Sequence, residues 1–539
     1  MPVNSLTRHS STSTSQNPSP LSGNQRDWLQ SIKGLSHPRA ICMLFLGFSA
    51  GLPLLLVFGT LSVWLREAGL ERATVTFLSW AALGYSFKFV WAPIVDRLPL
   101  PYLTRRLGRR RGWLLLSQFA VIASLLWTSS FDPQSDLLIL TVIGAVCIGF
   151  SSATQDIVID AYRIESAPPD LQAMLSATYI AGYRVGMVVA GAGALWIASY
   201  IGGDDYSFQA WSIVYKLMAC AMAIGIAATL LNPEPSADTS DTTVFKNTSD
   251  YLRFFAVFAL AVAVFVTGFV LLADSVKLIQ LTLAENWQMN SRLARFLGES
   301  MRMITSVTLA GFAAWMLIKF RLVGASHVRE TYIEPISEFF VRYGKLALII
   351  LLLIGTFRIS DIVLGIIANV FYLDMGFTKA QIAHYSKFWG LMSSIAGGLL
   401  GGVLALRFGV LKALLLGALL APASNLLFIA VAANPTELML LFVVVLDSLS
   451  AGIASAAFVS YLSSLTSIRF TAMQYAIFTS IMLLFPKIVA GYSGTIVDGV
   501  GYEVFFLITA VIGLPVIALI LWIQRLSETG QLGPVAQTP

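Results

Sequence analysis

The chain has 539 residues, of which 57% are hydrophobic and 12% charged, with a mean hydropathy of +0.76 and a net charge of +6. Soluble domains carry about 25% charged residues, so this composition excludes a soluble protein, and repeated apolar stretches of about 20 residues exclude a transmembrane β-barrel. The basic excess sits in particular loops, which makes it an orientation signal rather than a nucleic-acid surface.

Residues 1–38 are rich in Ser, Thr, Asn and Pro and read as a disordered tail, without the apolar core and cleavage site of a signal peptide. Apolar periodicity then predicts helices over 40–64, 72–95, 112–130, 136–161, 171–200 and 208–231, which form a six-helix half within residues 39–232. A polar linker follows at 233–250, with Glu234, Asp238 and Asp241. Two inserted helices are predicted at 251–273 and 297–320, inside a unit spanning 251–320, and a charged connector at 321–343 carries Arg329, Glu330, Glu334 and Glu338. The second half, 344–525, holds helices at 344–373, 380–405, 409–432, 436–465, 470–495 and 503–525, before a tail at 526–539. The expected fold is an all-α polytopic membrane protein with two six-helix halves and two inserted helices, fourteen in total. Arg97, Arg105, Arg106, Arg109, Arg110 and Arg111 between helices two and three place that loop, and with it both termini, in the cytoplasm.

A weak internal repeat supports the two halves. Gly69-Leu70-Glu71-Arg72-Ala73 opens helix two and Gly376-Phe377-Thr378-Lys379-Ala380 opens its counterpart, while Leu171-Gln172-Ala173-Met174 matches Phe470-Thr471-Ala472-Met473. Related halves are common in secondary transporters, which bind substrate near the midplane between them.

Ionisable groups inside apolar segments are costly and point to a pathway or a gate. Asp156, Asp160 and Arg163 share one face at the end of helix four, beside Gln155. A carboxylate there can take up a proton in one state and release it in another; a static salt bridge is the alternative. Tyr183-Arg184 lies about 21 Å into helix five, too deep for the Arg to reach the interface, so it faces a cavity, a carboxylate or an anionic ligand. Tyr85 and Lys88 in helix two, Arg358 and Asp361 in helix seven, and Lys387 in helix eight complete a polar lumen suited to a carboxylate-bearing ligand, although Arg358 and Asp361 can also pair with each other. Asp447 and Lys487 lie within helices ten and eleven. The Gly397-Gly398-Leu399-Leu400-Gly401-Gly402 run reads as close helix packing, not nucleotide binding. Cys42, Cys147 and Cys220 lie in apolar segments without CxxC spacing, and no nucleophile–base pair or metal cluster is evident, so neither catalysis, metal nor cofactor is expected.

Asp96-Arg97 followed by Gly108-Arg109-Arg110-Arg111 resembles the loop signature of the major facilitator superfamily, with a lengthened gap. Gly47-Phe48-Ser49-Ala50-Gly51-Leu52-Pro53, the run from Phe87 to Arg97, Gln155 to Ala161, Gly182 to Met187, Ser455 to Val459 and Thr471 to Ala476 resemble the AmpG family of muropeptide permeases, a branch that also resembles acetyl-coenzyme A transporters. The resemblance implies proton-coupled import of N-acetylglucosaminyl-1,6-anhydro-N-acetylmuramyl peptides across the bacterial inner membrane for cell-wall recycling, and in some bacteria a role in β-lactamase induction. Carried onto matching positions, it implies coupling by Asp156 and Asp160 and cavity roles for Lys88, Tyr183 and Arg184; Asp96 and Arg97 of the loop signature, with Gln155 and Arg163, are the further gating candidates, and Tyr85, Arg358, Asp361 and Lys387 the further candidates for substrate contact. The expected partners are the muropeptide, protons and the bilayer, with no nucleic acid and no assigned protein partner. The inserted helices depart from the pattern. The alternatives are transport of another anionic metabolite such as an acyl-coenzyme A, or a non-transporting scaffold for pigment or lipid precursors. The Glu-x-x-Glu-Arg signature of proton-coupled peptide transporters is missing from helix one.

Overall fold

The computed structural model describes residues 36–70, 87–100, 102–135, 138–166, 168, 171–203, 206–235, 248–285, 291–320, 328–490 and 493–528. Among them every regular element is helical. The first half contains α1 (Pro38–Leu55), α2 (Ala92–Arg97), α3 (Arg109–Thr128), α4 (Leu138–Glu165), α5 (Gln172–Gly202) and α6 (Phe208–Leu231). The insertion contains α7 (Thr248–Leu271), α8 (Ala273–Glu285) and α9 (Ser291–Lys319), and the connector forms α10 (Glu334–Tyr343). The second half contains α11 (Leu346–Thr356), α12 (Ile359–Asp374), α13 (Gly390–Phe408), α14 (Val410–Ala433), α15 (Glu437–Leu465), α16 (Thr471–Ala490) and α17 (Ser493–Glu528). Thirteen spans among the described residues are long and apolar enough to cross a membrane. Most of the helix expected at 72–95 lies outside the described residues.

Close backbone approach builds each half. α1 crosses α5 through Gly47, Gly51, Gly182 and Gly186, and a Cβ placed on Gly182 would stand 1.8 Å from the Leu44 carbonyl oxygen. In the second half Gly397 plays the same part against α15, where a Cβ would lie 2.2 Å from the Leu449 carbonyl oxygen. In a bilayer, where lipid tails compete with apolar side chains, such small-residue contacts are the main source of helix association. The helices bend where this packing needs it. α1 contains Pro53 and passes into a π-helical turn over Leu56–Thr60, and α5 has a matching turn over Val189–Gly193. The two wide turns meet, and the Thr60 hydroxyl donates to the Ala190 carbonyl at 2.6 Å.

The sequence repeat has a physical counterpart in helix caps. Gly69 and Gly376 adopt φ of +83° and +86°, a left-handed conformation that glycine reaches at little cost. Each ends a helix with the same pair of bonds, Gly69 to Arg66 and Leu70 to Leu65 in the first half, Gly376 to Leu373 and Phe377 to Tyr372 in the second.

Three expected elements differ in detail. Helix seven breaks between α11 and α12 at Phe357 and Arg358 rather than running continuously. The connector contains α10, an amphipathic helix whose charged residues Glu334, Glu338 and Arg342 recur every four positions and whose Pro335 and Phe339 are buried. An unexpected helix, α8, lies between the two inserted spans. In the insertion, buried Arg302 donates from Nε to the Phe269 carbonyl at 2.7 Å and lies 3.9 Å over the Phe269 ring, tying α7 to α9. Leu260, Val266, Phe312 and Trp315 remain exposed, as lipid-facing residues do.

Candidate functional site

The two halves meet at the end of the bundle that carries the 98–108 loop and the start of the linker, here termed the linker face. Asp96 is buried at the end of α2 and accepts the Ala472 and Met473 backbone N–H groups at 3.1 and 2.9 Å, capping the first turn of α16 in the opposite half. Arg110, 1% exposed, donates to Asp96 at 2.7 Å and to both oxygens of Glu165 at 2.9 and 2.5 Å. Arg109 donates to the Asp96 carbonyl at 2.7 Å, and Arg97 lies 4.8 Å over the Phe470 ring of the second half. Burial lowers the Arg97 pKa from its ordinary value, while Asp96 raises it. Glu234 at the start of the linker caps α3, accepting the Arg110 and Arg111 N–H groups at 2.7 and 3.0 Å.

One layer deeper, Lys88 stands between two acids, with Nζ 4.0 Å from Asp156 and 3.7 Å from Asp160. Arg163, fully buried, donates to Asp160 at 3.3 Å, to Ser176 at 2.8 Å and to Ser463 of the second half at 2.7 Å. Its guanidinium also lies 5.1 Å over the Tyr475 ring, again across the two halves. Gln155 is turned toward α1, where it donates to the Ser49 hydroxyl at 2.5 Å. Two carboxylates and two cations thus form one chain from the turn before α2 to the second half. A change of protonation at either acid alters the charge of a chain that crosses the seam.

The third layer is near the middle of the bundle. The break in helix seven leaves Arg358 at the start of α12, paired with Asp361 one turn later. Arg184 of α5 lies within electrostatic reach of Arg358, Asp361 and Tyr183, so cations from both halves converge there. Asp447 of α15 accepts the Ser424 hydroxyl at 2.8 Å and lies within electrostatic reach of Asp361. Tyr183 stacks at a tilt with Tyr179, ring centroids 5.9 Å apart. Tyr85 lies outside the described residues, as does the side chain of Lys387.

The seam between halves, the repeated caps and the linker-face latch together match a known architecture, and the family profile of the Major Facilitator Superfamily matches residues 40–380, more than half of the chain. The chain belongs to the major facilitator superfamily. As a member, it resembles in structure the proton:xylose symporter XylE bound to 6-bromo-6-deoxy-D-glucose, with TM-score 0.56 and 13% identity over 90% of this chain and 94% of that one. It also resembles the Escherichia coli fucose:proton symporter FucP, with TM-score 0.54 and 12% identity over 91% and 98%. At such identities the likeness concerns the fold alone. In sequence, the anhydromuropeptide permease of Escherichia coli strain K12 is 27% identical over 501 residues, 93% of this chain and 82% of that protein. Putative transporter AmpG 4 of Rickettsia felis is 27% identical over 481 residues, 89% of this chain and 95% of that one. The chain is therefore a membrane transporter of this superfamily with a small-molecule substrate.

The structure groups the sequence-derived residues differently from the sequence reading. Lys88, expected in the substrate cavity, stands with Asp156 and Asp160, whereas Arg184, Arg358 and Asp361 form a separate central set. Asp447 stands among the intramembrane charges read from the sequence, whereas Glu165, Ser463 and Tyr475 are not singled out there as site residues. Glu165 had a signal, since it lies two positions beyond Arg163 at a helix end beside the arginine loop. Ser463 and Tyr475 had none, because their part depends on which helix of the other half they meet.

Proposed function

We propose that this transporter imports anhydromuropeptides, N-acetylglucosaminyl-1,6-anhydro-N-acetylmuramyl peptides, together with protons across a bacterial inner membrane, with both termini in the cytoplasm. The observation that carries the substrate is the near full-length relation to the E. coli anhydromuropeptide permease. The convergence of Arg184 and Arg358 from opposite halves supports it, since paired guanidinium groups suit the carboxylates of a peptide stem.

In this reading the linker face is the cytoplasmic gate, held shut by Asp96, Arg110 and Arg163 while the substrate enters from the other side. A substrate carboxylate arriving at Arg184 and Arg358 competes with Asp361 for the same cations. Protonation of Asp160 removes the charge that Arg163 and Lys88 share, which loosens the seam at Ser463 and Tyr475. Coupling then follows because the proton-accepting acid and the inter-half contact belong to one hydrogen-bonded chain.

The test is uptake of labelled anhydromuropeptide by proteoliposomes containing the purified protein. Accumulation driven by an inward proton gradient is expected. Uptake indifferent to that gradient would remove the symport claim, and no binding would remove the substrate.

A further inference from the structure

The described part of the connector folds against both halves at the linker face. Its hold on the second half is extensive. Gln474, 2% exposed, uses its whole amide: Nε2 donates to the Pro335 carbonyl at 2.9 Å and to Glu338 at 2.7 Å, and Oε1 accepts the Ser467 N–H at 2.8 Å and Arg342 at 3.1 Å. Within α10 Arg342 pairs with Glu338 at 2.9 Å; across to the second half Arg469 pairs with Glu334 at 3.1 Å, and the buried Phe339 ring lies 5.2 Å from Phe478.

Its hold on the first half is slight. In the turn Arg329–Ile333, the Tyr332 hydroxyl donates to the Val90 carbonyl at 3.0 Å, while the Tyr332 ring stacks at 6.3 Å with Phe254 of α7 in the insertion. Burial pushes the Tyr332 phenol above its ordinary value, so it stays a donor at physiological pH. Glu330 and Glu334 act electrostatically on Arg97. One short segment therefore touches the turn that leads into α2 and the start of α16, the helix that Asp96 of α2 caps.

We propose that residues 328–343 form a strap that moves with the second half and parts from the first at Tyr332, so that Tyr332 is a positioning residue setting how readily the linker face opens. The asymmetry carries the inference. When the halves separate, the seam with one hydroxyl bond to the first half breaks before the seam with an amide bonded to Pro335, Glu338 and Arg342, the Arg469–Glu334 ion pair and a buried phenyl ring. This rests on the superfamily fold and not on the substrate.

Distances between spin labels on the full-length protein in lipid nanodiscs test it. Labels go on Arg105→Cys and Ile468→Cys, exposed positions of the two halves at the linker face, after Cys42, Cys147 and Cys220 are replaced by alanine. Tyr332→Phe removes only the hydroxyl and is expected to raise the long-distance population relative to the short one about fivefold, the factor one hydrogen bond carries, with the thermal midpoint unchanged. Tyr332→Ala, which also removes the ring, is expected to raise it further. Gln474→Leu frees the strap from the second half and is expected to raise the same population. Distributions for Tyr332→Phe and Tyr332→Ala that superimpose on the parent would overturn the proposal. So would a rise with Gln474→Leu alone, which would place the hold in α16 itself.

Discussion

Asp96 and Met473 are 377 positions apart in the chain, yet the Asp96 carboxylate accepts the Met473 N–H at 2.9 Å and so fixes one half to the other. The bond joins a charge to the positive end of a 20-residue helix, and Arg110 keeps that charge in place from behind.

Asp96→Asn removes the charge while keeping the shape. Loss of a charge-assisted bond of about 1.5–3 kcal/mol is expected to favour opening of the linker face. Ser463→Cys, buried against Arg163, reports the change through its rate of reaction with a membrane-permeant thiol reagent. The rate is expected to rise at least tenfold, and an unchanged rate would mean that Asp96 does not hold the gate.

Lys88 shares its charge between Asp156 and Asp160. Lys88→Met leaves two buried acids with one cation and is expected to destabilise the protein by about 3–5 kcal/mol. Adding Asp160→Asn is expected to restore part of that loss, because the stranded charge is gone. Unfolding in detergent for the two single variants and the double variant measures the coupling; additive losses would show that the three groups act independently.

Asp160→Asn separates coupling from binding. Substrate exchange between equal concentrations on both sides is expected to continue, while accumulation driven by the proton gradient disappears. Full gradient-driven uptake by this variant would remove Asp160 from the coupling role.

Arg184→Ala is expected to raise the KM for uptake at least tenfold, in line with about 1.5–3 kcal/mol for a hydrogen bond to a charged group. Arg184→Lys should restore only part of it, since an ammonium group lacks the planar fork that holds a carboxylate on two sides. An unaltered KM in both variants would place the substrate elsewhere.

Gly182→Val tests the crossing of α1 and α5. Its Cβ meets the Leu44 carbonyl oxygen at 1.8 Å, and because both partners are backbone neither can turn aside. A loss of more than about 3 kcal/mol, beyond the usual range for overpacking, is expected to appear as aggregation on size-exclusion chromatography. A monodisperse, fully active variant would contradict the packing described.

Much of this architecture is written locally. Hydropathy marks the spans because each residue in a bilayer is selected by its own transfer energy, and the repeat around Gly69 and Gly376 is visible because a left-handed cap demands glycine at one position. The glycine run at 397–402 could likewise be read as a packing surface, since a missing side chain leaves few other uses inside a membrane helix. The intramembrane charges were equally plain, each standing out against apolar neighbours.

Partners on the same helix were legible, as with Arg358 and Asp361 or Asp160 and Arg163, but partners on other helices were not. Successive residues of a helix turn by about 100°, so a small rotation or shift of one helix decides whether Lys88 meets Asp160 or a cavity, and whether Arg184 looks toward Arg358 or toward lipid. The seating of Asp96 on α16 and the folding of the connector beneath Gln474 depend on contacts between segments more than a hundred residues apart. Sequence by itself determined which segments cross the membrane, how the halves repeat and where charge had to be accommodated. Only the tertiary structure decided which charges share a layer and which bonds tie the halves together, because those are set by helix register and rotation, quantities that no local run of residues encodes.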